Sequence, residues 1–457
     1  MSDFQMRPRT FPLEGDARFE ELFTRLSARR GAVALLPGGG RHALLAFDPL
    51  DARPPGSIEA LREYRAALAP RPGDEVPGPF HGGFVGALAY DLGVAGERAP
   101  RVAPEPWGTP RVAGGLYTDF VVLDAPAQRA WLVLGEDPGD ARPALGARRA
   151  EIEALLAGPR PTLAPARAAG PLVRRTPPAE HCARIERLRA RIAAGDLYQA
   201  NLAHRFERAL AGDPRALFLR LLASNPAPHA AWLAWDPTLC APGAATPVGA
   251  LLSASPELLL EFDGALARTR PIKGTAPRGA DPATDAILAA QLLASEKDRA
   301  ELAMIVDLER NDLGACARPG GVRVEAFPRL ESFATVHHLV ADVVADVAPG
   351  VDAWTLLARL FPGGSITGAP KLAALDAIAE LETEGRGFFT GSLGFVDVRG
   401  HARWNILIRT LVWRPRGAQG EVCFHAGGGI TWPSDAEAEE RETLHKALGL
   451  VRALEGA

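Results

Sequence analysis

The chain is poor in cysteine. Its four cysteines, Cys182, Cys240, Cys316 and Cys423, are scattered through 457 residues with no CxxC pair. That spacing argues against a zinc ribbon or a disulfide framework and fits reduced thiols in the cytosol. No run of about 18 apolar residues occurs, so no membrane span is expected. Met1 to Gln5 lack a basic region leading into an apolar run, so no secretory leader is expected. Charge of one sign is also missing. Lys plus Arg number 51 against 55 Asp plus Glu, a net charge of −4. Nothing there favours a nucleic acid or an acidic membrane as partner. No repeat of 20–50 residues is visible.

What is present is ordinary globular material, 47% hydrophobic and 23% charged, with ample apolar residues for a core. Residues 1 to about 157 alternate short apolar runs with Gly/Pro breaks, as in Ala32–Leu36 and Phe120–Leu123, and read as strands. The apolar, glycine-rich stretch Gly82–Leu92 fits either a strand or a helix packed close to a sheet. Gly158 to Pro178 is rich in Pro, Ala and Arg and reads as a linker. A helix follows, with Thr176 as N-cap, Pro177 at its first position, Gly195 at its stop and Ile185, Leu188 and Ile192 as its apolar stripe.

Beyond Ala250, strands and helices are interspersed. Leu258–Phe262 reads as a strand entering a hairpin at Asp263-Gly264, and the paired strand then carries Lys273. Residues 284 to 310 favour helix and lack glycine. Residues 434 to 453 form a second strong helix, with Ser434 as N-cap and Glu437 completing a capping box.

Several residues could carry chemistry. Lys273, between Pro271-Ile272 and Gly274-Thr275, is either an exposed loop lysine or a desolvated one whose lowered pKa makes it a nucleophile. On the last helix Glu439, Glu442 and Lys446 share one face, with Leu444, Leu448 and Val451 expected to bury on the other. The charged face is either solvated or half of a cation site. Glu301, flanked by Leu302, Met304 and Ile305, supplies a carboxylate on a second helix, and two such helices suit magnesium. Two glycine-rich loops, Phe361–Lys371 and His425–Ile430, can bring backbone N–H groups to an anion. Arg409, placed in an alternating strand from Ile406 to Leu411, either pairs with an acid or holds a carboxylate. His337-His338 is either structural or a source of general acid–base chemistry.

Together these motifs resemble the chorismate-utilising enzymes, the family of anthranilate synthase and aminodeoxychorismate synthase component I and of isochorismate and salicylate synthases. The resemblance is dense from Asp196 to Gly449. It runs through Gly195–Leu202, Ser255-Pro256-Glu257, the segment ending at Glu301, Asp307–Gly314, the loops Pro362–Lys371 and Ala426–Ile430, and the last helix. It is looser through Gly82–Leu92.

The resemblance implies an α+β fold: two antiparallel β-sheets packed as a sandwich, helices around them and the active site between the sheets. It implies an N-terminal region, 1–165, and a chorismate-binding catalytic domain, 166–457, divided by sequence pattern more than by independent folding. Pro-Ile-Lys-Gly-Thr at 271–275 is similar to the aminodeoxychorismate synthase branch, where the anthranilate branch typically carries alanine for the lysine. The family pattern makes Lys273, Glu257 and His338 catalytic. Thr275, Ser365, Arg409, Gly427, Gly428, Gly429 and Lys446 become substrate-binding, and Glu301, Glu439 and Glu442 magnesium ligands. Chorismate is then the substrate, and the alternative product is anthranilate. No Cys-His-Glu amidotransferase arrangement is present, so a separate glutamine amidotransferase is the implied source of ammonia, in the cytoplasm.

Overall fold

The computed structural model describes residues 4–15, 17–50, 53–94, 102–137, 141–243, 248–333 and 336–456. Residues 1–3, part of the segment on which the leader expectation rests, lie outside that set. Among the described residues two sheets dominate, one of 13 strands and one of nine. Pairing is antiparallel except where Phe4–Leu13 meets Leu68–Pro70 in parallel. The apolar faces of both sheets, including Leu233 and Leu251 from the larger and Phe84 and Leu260 from the smaller, bury in one common core. A second core fills the outer face of the large sheet beneath helices Phe19–Leu26, Pro214–Ser224 and Ala436–Glu455. The expected α+β sandwich is therefore the observed architecture.

Strands from both sides of residue 165 enter both sheets. Gly83–Leu88 pairs with Ser392–Asp397, and Val33–Leu35 pairs with Ala231–Trp235. Gly83–Leu88 is thus a strand, followed by the short helix Tyr90–Gly93. The expected linker is not free: Arg167–Arg174 inside it forms a strand on Gln199–Ala211. The next helix runs Pro178–Ala193 and buries Ile185 and Leu188 as expected, but its N-cap is Pro177, one residue past Thr176.

The chain passes between the sheets several times, and two of these passages are neighbours. It leaves Gly249–Ser253 of the large sheet for Leu258–Phe262 of the small one, with Glu257 on the way. It returns from Ala402–Asn405 to Thr410–Arg416, with Arg409 on the way. Arg409 is therefore not in a strand; it takes a left-handed φ of 50°, because the backbone must turn from one layer to the other. The crossings are stitched together: Ile406 N donates to Glu257 O (3.1 Å), Ala254 N to Arg409 O (3.0 Å) and Ser255 Oγ to Ile406 O (2.6 Å).

Other expectations shift. The hairpin at Asp263-Gly264 forms, with the Asp263 carboxylate accepting from Ala265 and Leu266 N. Lys273, however, belongs to a further strand, Ile272–Pro277, which pairs with Val336–Val347. Residues 284–310 divide into helices Pro282–Ala294 and Glu296–Gly314, because Ser295 leaves helical geometry and caps the second through Asp298 N. His425–Ile430 is not a loop but the end of the strand Gln419–Ile430.

The last helix, Ala436–Glu455, is capped by Asp435 rather than Ser434. Its buried stripe is Thr443, Ala447, Leu450 and Leu454, whereas Leu444 and Leu448 are 40% and 42% exposed. Two glutamates on this helix can bury because partners await them. Glu439 accepts from Ser434 Oγ (2.7 Å), and Glu440 accepts a fork from Arg174 (2.5 and 2.6 Å).

Candidate active site

One end of each sheet meets the other at the candidate residues. The small sheet ends on the Lys273 strand; the large sheet ends on Gly368–Ala369, then Gln199–Ala211, then Gln419–Ile430. The Gly363–Lys371 segment supplies that terminal strand and places Ser365 just before it.

Lys273 donates through Nζ to the Ser365 carbonyl (3.3 Å). Part of the residue stays open, but its ammonium is enclosed. Burial carries its pKa below the ordinary lysine value and Lys446 adds to the shift, while Glu301, Glu257 and Glu442 act against it. The structure thus gathers the sequence-chosen lysine, both helical acids and the crossing acid within one field.

Glu257 is buried to 3% exposure, and Ile272 N lies 3.4 Å from its Oε1. Burial raises its pKa despite Ser365, Lys273, the Ile272 amide and Arg409. The buried Ser365 hydroxyl sits close enough to favour the ionised form, but has no hydrogen-bond partner among the described residues. Arg409 makes no side-chain hydrogen bond or ion pair among the described residues, so its half-buried fork remains free for an anion. Burial lowers its pKa while Glu257 opposes the shift.

His338 is the third residue of the strand Val336–Val347. Its Nδ1 lies 2.9 Å from Thr275 Oγ1, and its buried Nε2 has no partner among the described residues. Burial and the field of Arg409 lower its pKa to about 4, so the ring is neutral at physiological pH. His337 is spoken for structurally, between Ser332 Oγ (2.8 Å) and Asp285 (2.9 Å).

Glu301 projects from the helix Glu296–Gly314; Glu439 and Glu442 project from the last helix. Burial raises Glu301, and Asp298 and Glu439 push the same way. Burial also raises Glu439, with Glu442 adding to it. Burial works against ionised Glu442 too, but its ion pair with Lys446 (2.7 Å) carries that pKa below the usual value. Three carboxylates are the kind of oxygen donor a hard divalent cation takes, although Lys273, Lys297 and Lys446 act on them and, among the described residues, their ligand atoms do not all lie within 4.8 Å of one another. A tighter cluster exists elsewhere: ligand atoms of His181, His204 and Glu440 lie within 4.8 Å of one another. That cluster is already closed by the Arg174 guanidinium.

The three glycines serve different faces. A side chain at Gly428 would meet Glu439 Oε2 at 3.2 Å and Lys446 Nζ at 3.5 Å, so its bareness lets the last helix reach the strand. Gly427 lies against the Leu202 carbonyl, and Gly429 against Gln199 and Asn201.

Sequence reasoning assigned no role to Gln199, Asn201, Lys297 or Glu309. Gln199 is fully buried, and among the described residues neither its amide nitrogen nor its oxygen has a partner. Asn201 Nδ2 donates to the Ser365 carbonyl (2.8 Å). Lys297 lies 3.9 Å from Glu301 and its charge acts on Glu439 and Glu442. One signal was available for it. Of the 51 cationic residues only four are lysines, at 273, 297, 371 and 446. Three of these act on the carboxylates of this site.

Residues 40–452 match the family described as chorismate binding enzyme. Anthranilate synthase component 1 of Streptomyces coelicolor is 39% identical, covering 93% of this chain and 83% of its own. Aminodeoxychorismate synthase component 1 of Klebsiella aerogenes is 36% identical over 98% of both chains. The solved anthranilate synthase component I of Streptococcus pneumoniae superposes with a TM-score of 0.76 at 26% identity, covering 90% of this chain and 92% of that one. The menaquinone-specific isochorismate synthase of Escherichia coli shares the fold with a TM-score of 0.78 at 18% identity, over 99% of this chain and 95% of its own.

Proposed function

The chain belongs to the chorismate-binding enzyme family, and we propose that it is component I of an aminodeoxychorismate synthase, joining ammonia to chorismate to form 4-amino-4-deoxychorismate. The observation that carries this choice is Lys273. An enclosed amine with a depressed pKa stands in the field of Glu257. Relatives named aminodeoxychorismate synthase component 1 cover nearly the whole chain, at 36% identity in Klebsiella aerogenes and 31% in Bacillus subtilis.

In this reading Arg409 and Lys446 hold substrate carboxylates and Ser365 and Thr275 line the site. The strand amides of Gly427 to Gly429 complete the cradle. Lys273 in its neutral form attacks ring carbon-2 while Glu257 delivers a proton to the departing carbon-4 hydroxyl, which leaves as water. Ammonia then adds at carbon-4 and expels the lysine as a neutral amine. His338, neutral and hydrogen-bonded through Thr275, serves proton transfer beside Glu257. Glu301, Glu439 and Glu442 would hold magnesium. When bound there it supplies positive charge that offsets the substrate carboxylate and favours departure of a poor leaving group.

The component I names of the relatives imply a second component. We assign that role to a glutamine amidotransferase delivering ammonia, with both proteins in the cytoplasm. The boundary near residue 165 is one of sequence pattern, since both sheets take strands from either side of it.

Anthranilate synthase component I is the second reading, favoured by the 39% identity to the Streptomyces coelicolor protein. Mass spectrometry of products from chorismate, magnesium and ammonium chloride, with and without aminodeoxychorismate lyase, separates the two. Lyase-dependent p-aminobenzoate supports the first reading. Lyase-independent anthranilate and pyruvate establish the second.

A further inference from the structure

Arg386 is 2% exposed and lies between the helix Lys371–Leu381 and the strand Ser392–Asp397. A guanidinium carries five N–H donors in one rigid plane, and Arg386 makes five hydrogen bonds. Nε donates to Glu382 Oε2 (2.8 Å), and Nη2 donates to Glu382 Oε1 (2.7 Å) and to the Asn201 carbonyl (2.9 Å). Nη1 donates to the Ile366 carbonyl and to Thr390 Oγ1, both at 3.2 Å. Glu382 in turn accepts from Ala203 N (2.9 Å), on the same strand as Asn201. A buried ion pair is tolerated when its remaining donors are satisfied in this way.

Two of these acceptors lead to Lys273. Ile366 directly follows Ser365, whose carbonyl receives the Lys273 ammonium. Asn201, held at its own carbonyl by Arg386, donates through Nδ2 to that same Ser365 carbonyl (2.8 Å), and its N–H donates to the Thr367 carbonyl (2.8 Å). A third acceptor leads to Arg409. Thr390 takes a left-handed φ of 59°, a strained conformation for a β-branched residue that persists only where its surroundings hold it. Its N–H donates to the Leu407 carbonyl and Gly391 accepts from Leu407 N, both at 2.8 Å. Leu407 lies two residues before Arg409 on the same passage between the sheets.

We propose that Arg386 is a positioning residue: it fixes the acceptor of Lys273 and the backbone that carries Arg409 in one frame, so that the attacking amine and the anion holder meet the same substrate. It acts through those residues and not on the reacting atoms. This rests on the roles given to Lys273 and Arg409 above.

The test compares kcat and the chorismate KM, with magnesium and ammonium chloride, for the unmodified chain, Arg386→Lys, Thr390→Ala and Thr390→Ser. A lysine keeps the charge but offers three donors from one point, so it cannot span Glu382, Asn201, Ile366 and Thr390 together. Arg386→Lys should lower kcat by roughly tenfold or more and raise KM severalfold. Its magnesium titration should stay in place, because Glu301, Glu439 and Glu442 make no hydrogen bond or ion pair to Arg386. Thr390→Ala removes only the arm toward Arg409 and should raise KM more than it lowers kcat. Thr390→Ser keeps the hydroxyl and should restore both. Unmodified kinetics in Arg386→Lys overturn the proposal, as does an equal effect of the two Thr390 variants. A magnesium titration that shifts with the kinetics also overturns it, since that marks general loosening.

Hydrogen exchange gives a readout independent of turnover. Arg386→Lys should lose protection at residues 364–367 and 389–391, while the strand Gly249–Ser253 keeps its own. Unchanged exchange at both segments overturns the proposal. If Arg386→Lys does not fold, the two Thr390 variants decide. Product identity from the unmodified chain tests the functional reading separately; if it is anthranilate, that reading falls and the same comparison is made on anthranilate.

Discussion

Asn201 and Lys273 donate to the same acceptor, the Ser365 carbonyl oxygen, at 2.8 and 3.3 Å. Asn201 belongs to the large sheet and Lys273 to the small one, so a single carbonyl ties the two layers at the site. A neutral acceptor also places no full negative charge against the lysine, which leaves the neutral amine within reach.

Lys273→Ala should abolish aminodeoxychorismate formation or divert the reaction to anthranilate. Lys273→Arg should fail as well, because a guanidinium stays charged and cannot act as the nucleophile. Product analysis by mass spectrometry decides. Unchanged product and rate in either variant removes the lysine from the mechanism.

Lys446 is one of the causes that depress Lys273. Replacing it with methionine removes a neighbouring positive charge, so the Lys273 pKa rises and the neutral amine appears only at higher pH. The ascending limb of kcat/KM should therefore move toward alkali. A limb that stays in place, or moves toward acid, contradicts the arrangement.

Glu301→Gln and Glu442→Gln should each shift magnesium titrations to higher concentration while leaving circular dichroism unchanged. Wild-type titration curves in both variants would mean that magnesium, if required, binds elsewhere.

Buried neutral histidines should make the fold acid-sensitive. Burial lowers His181 to about 4 and His204 to about 3, against an ordinary value near 6.5. With the folded values depressed, the unfolded chain takes up protons first. The stability these groups contribute is complete above the unfolded value and declines as pH falls through the window down to the folded ones. Urea midpoints measured across that window should drop, and His181→Phe should flatten the slope. A midpoint independent of pH there would exclude the effect.

Much of this was legible in the residues. Alternating runs marked strands, Asp263-Gly264 marked a hairpin, and the motifs from Asp196 onward pointed to the family. The errors are informative. Arg409 read as a strand residue because its neighbours alternate, yet the backbone turns there to change layers. Leu444 and Leu448 read as buried because they are apolar. The helix instead turns its small Thr443 and Ala447 inward against the sheet. Glycines 427–429 read as a loop, although a strand tolerates them where another chain approaches closely.

The sequence by itself determined which kinds of group are available: a lysine between proline and glycine, acids on two helices, an arginine and glycine-bare backbone. Local spacing is enough for that, since propensity and periodicity act over a few residues. Only the tertiary structure decided which of them meet. Glu257 and Arg409 are 152 positions apart and become neighbours because two chain crossings between the sheets are hydrogen-bonded together. The same packing enclosed Lys273 and Glu309, and the pKa of each follows from desolvation and field, which belong to the assembled interior.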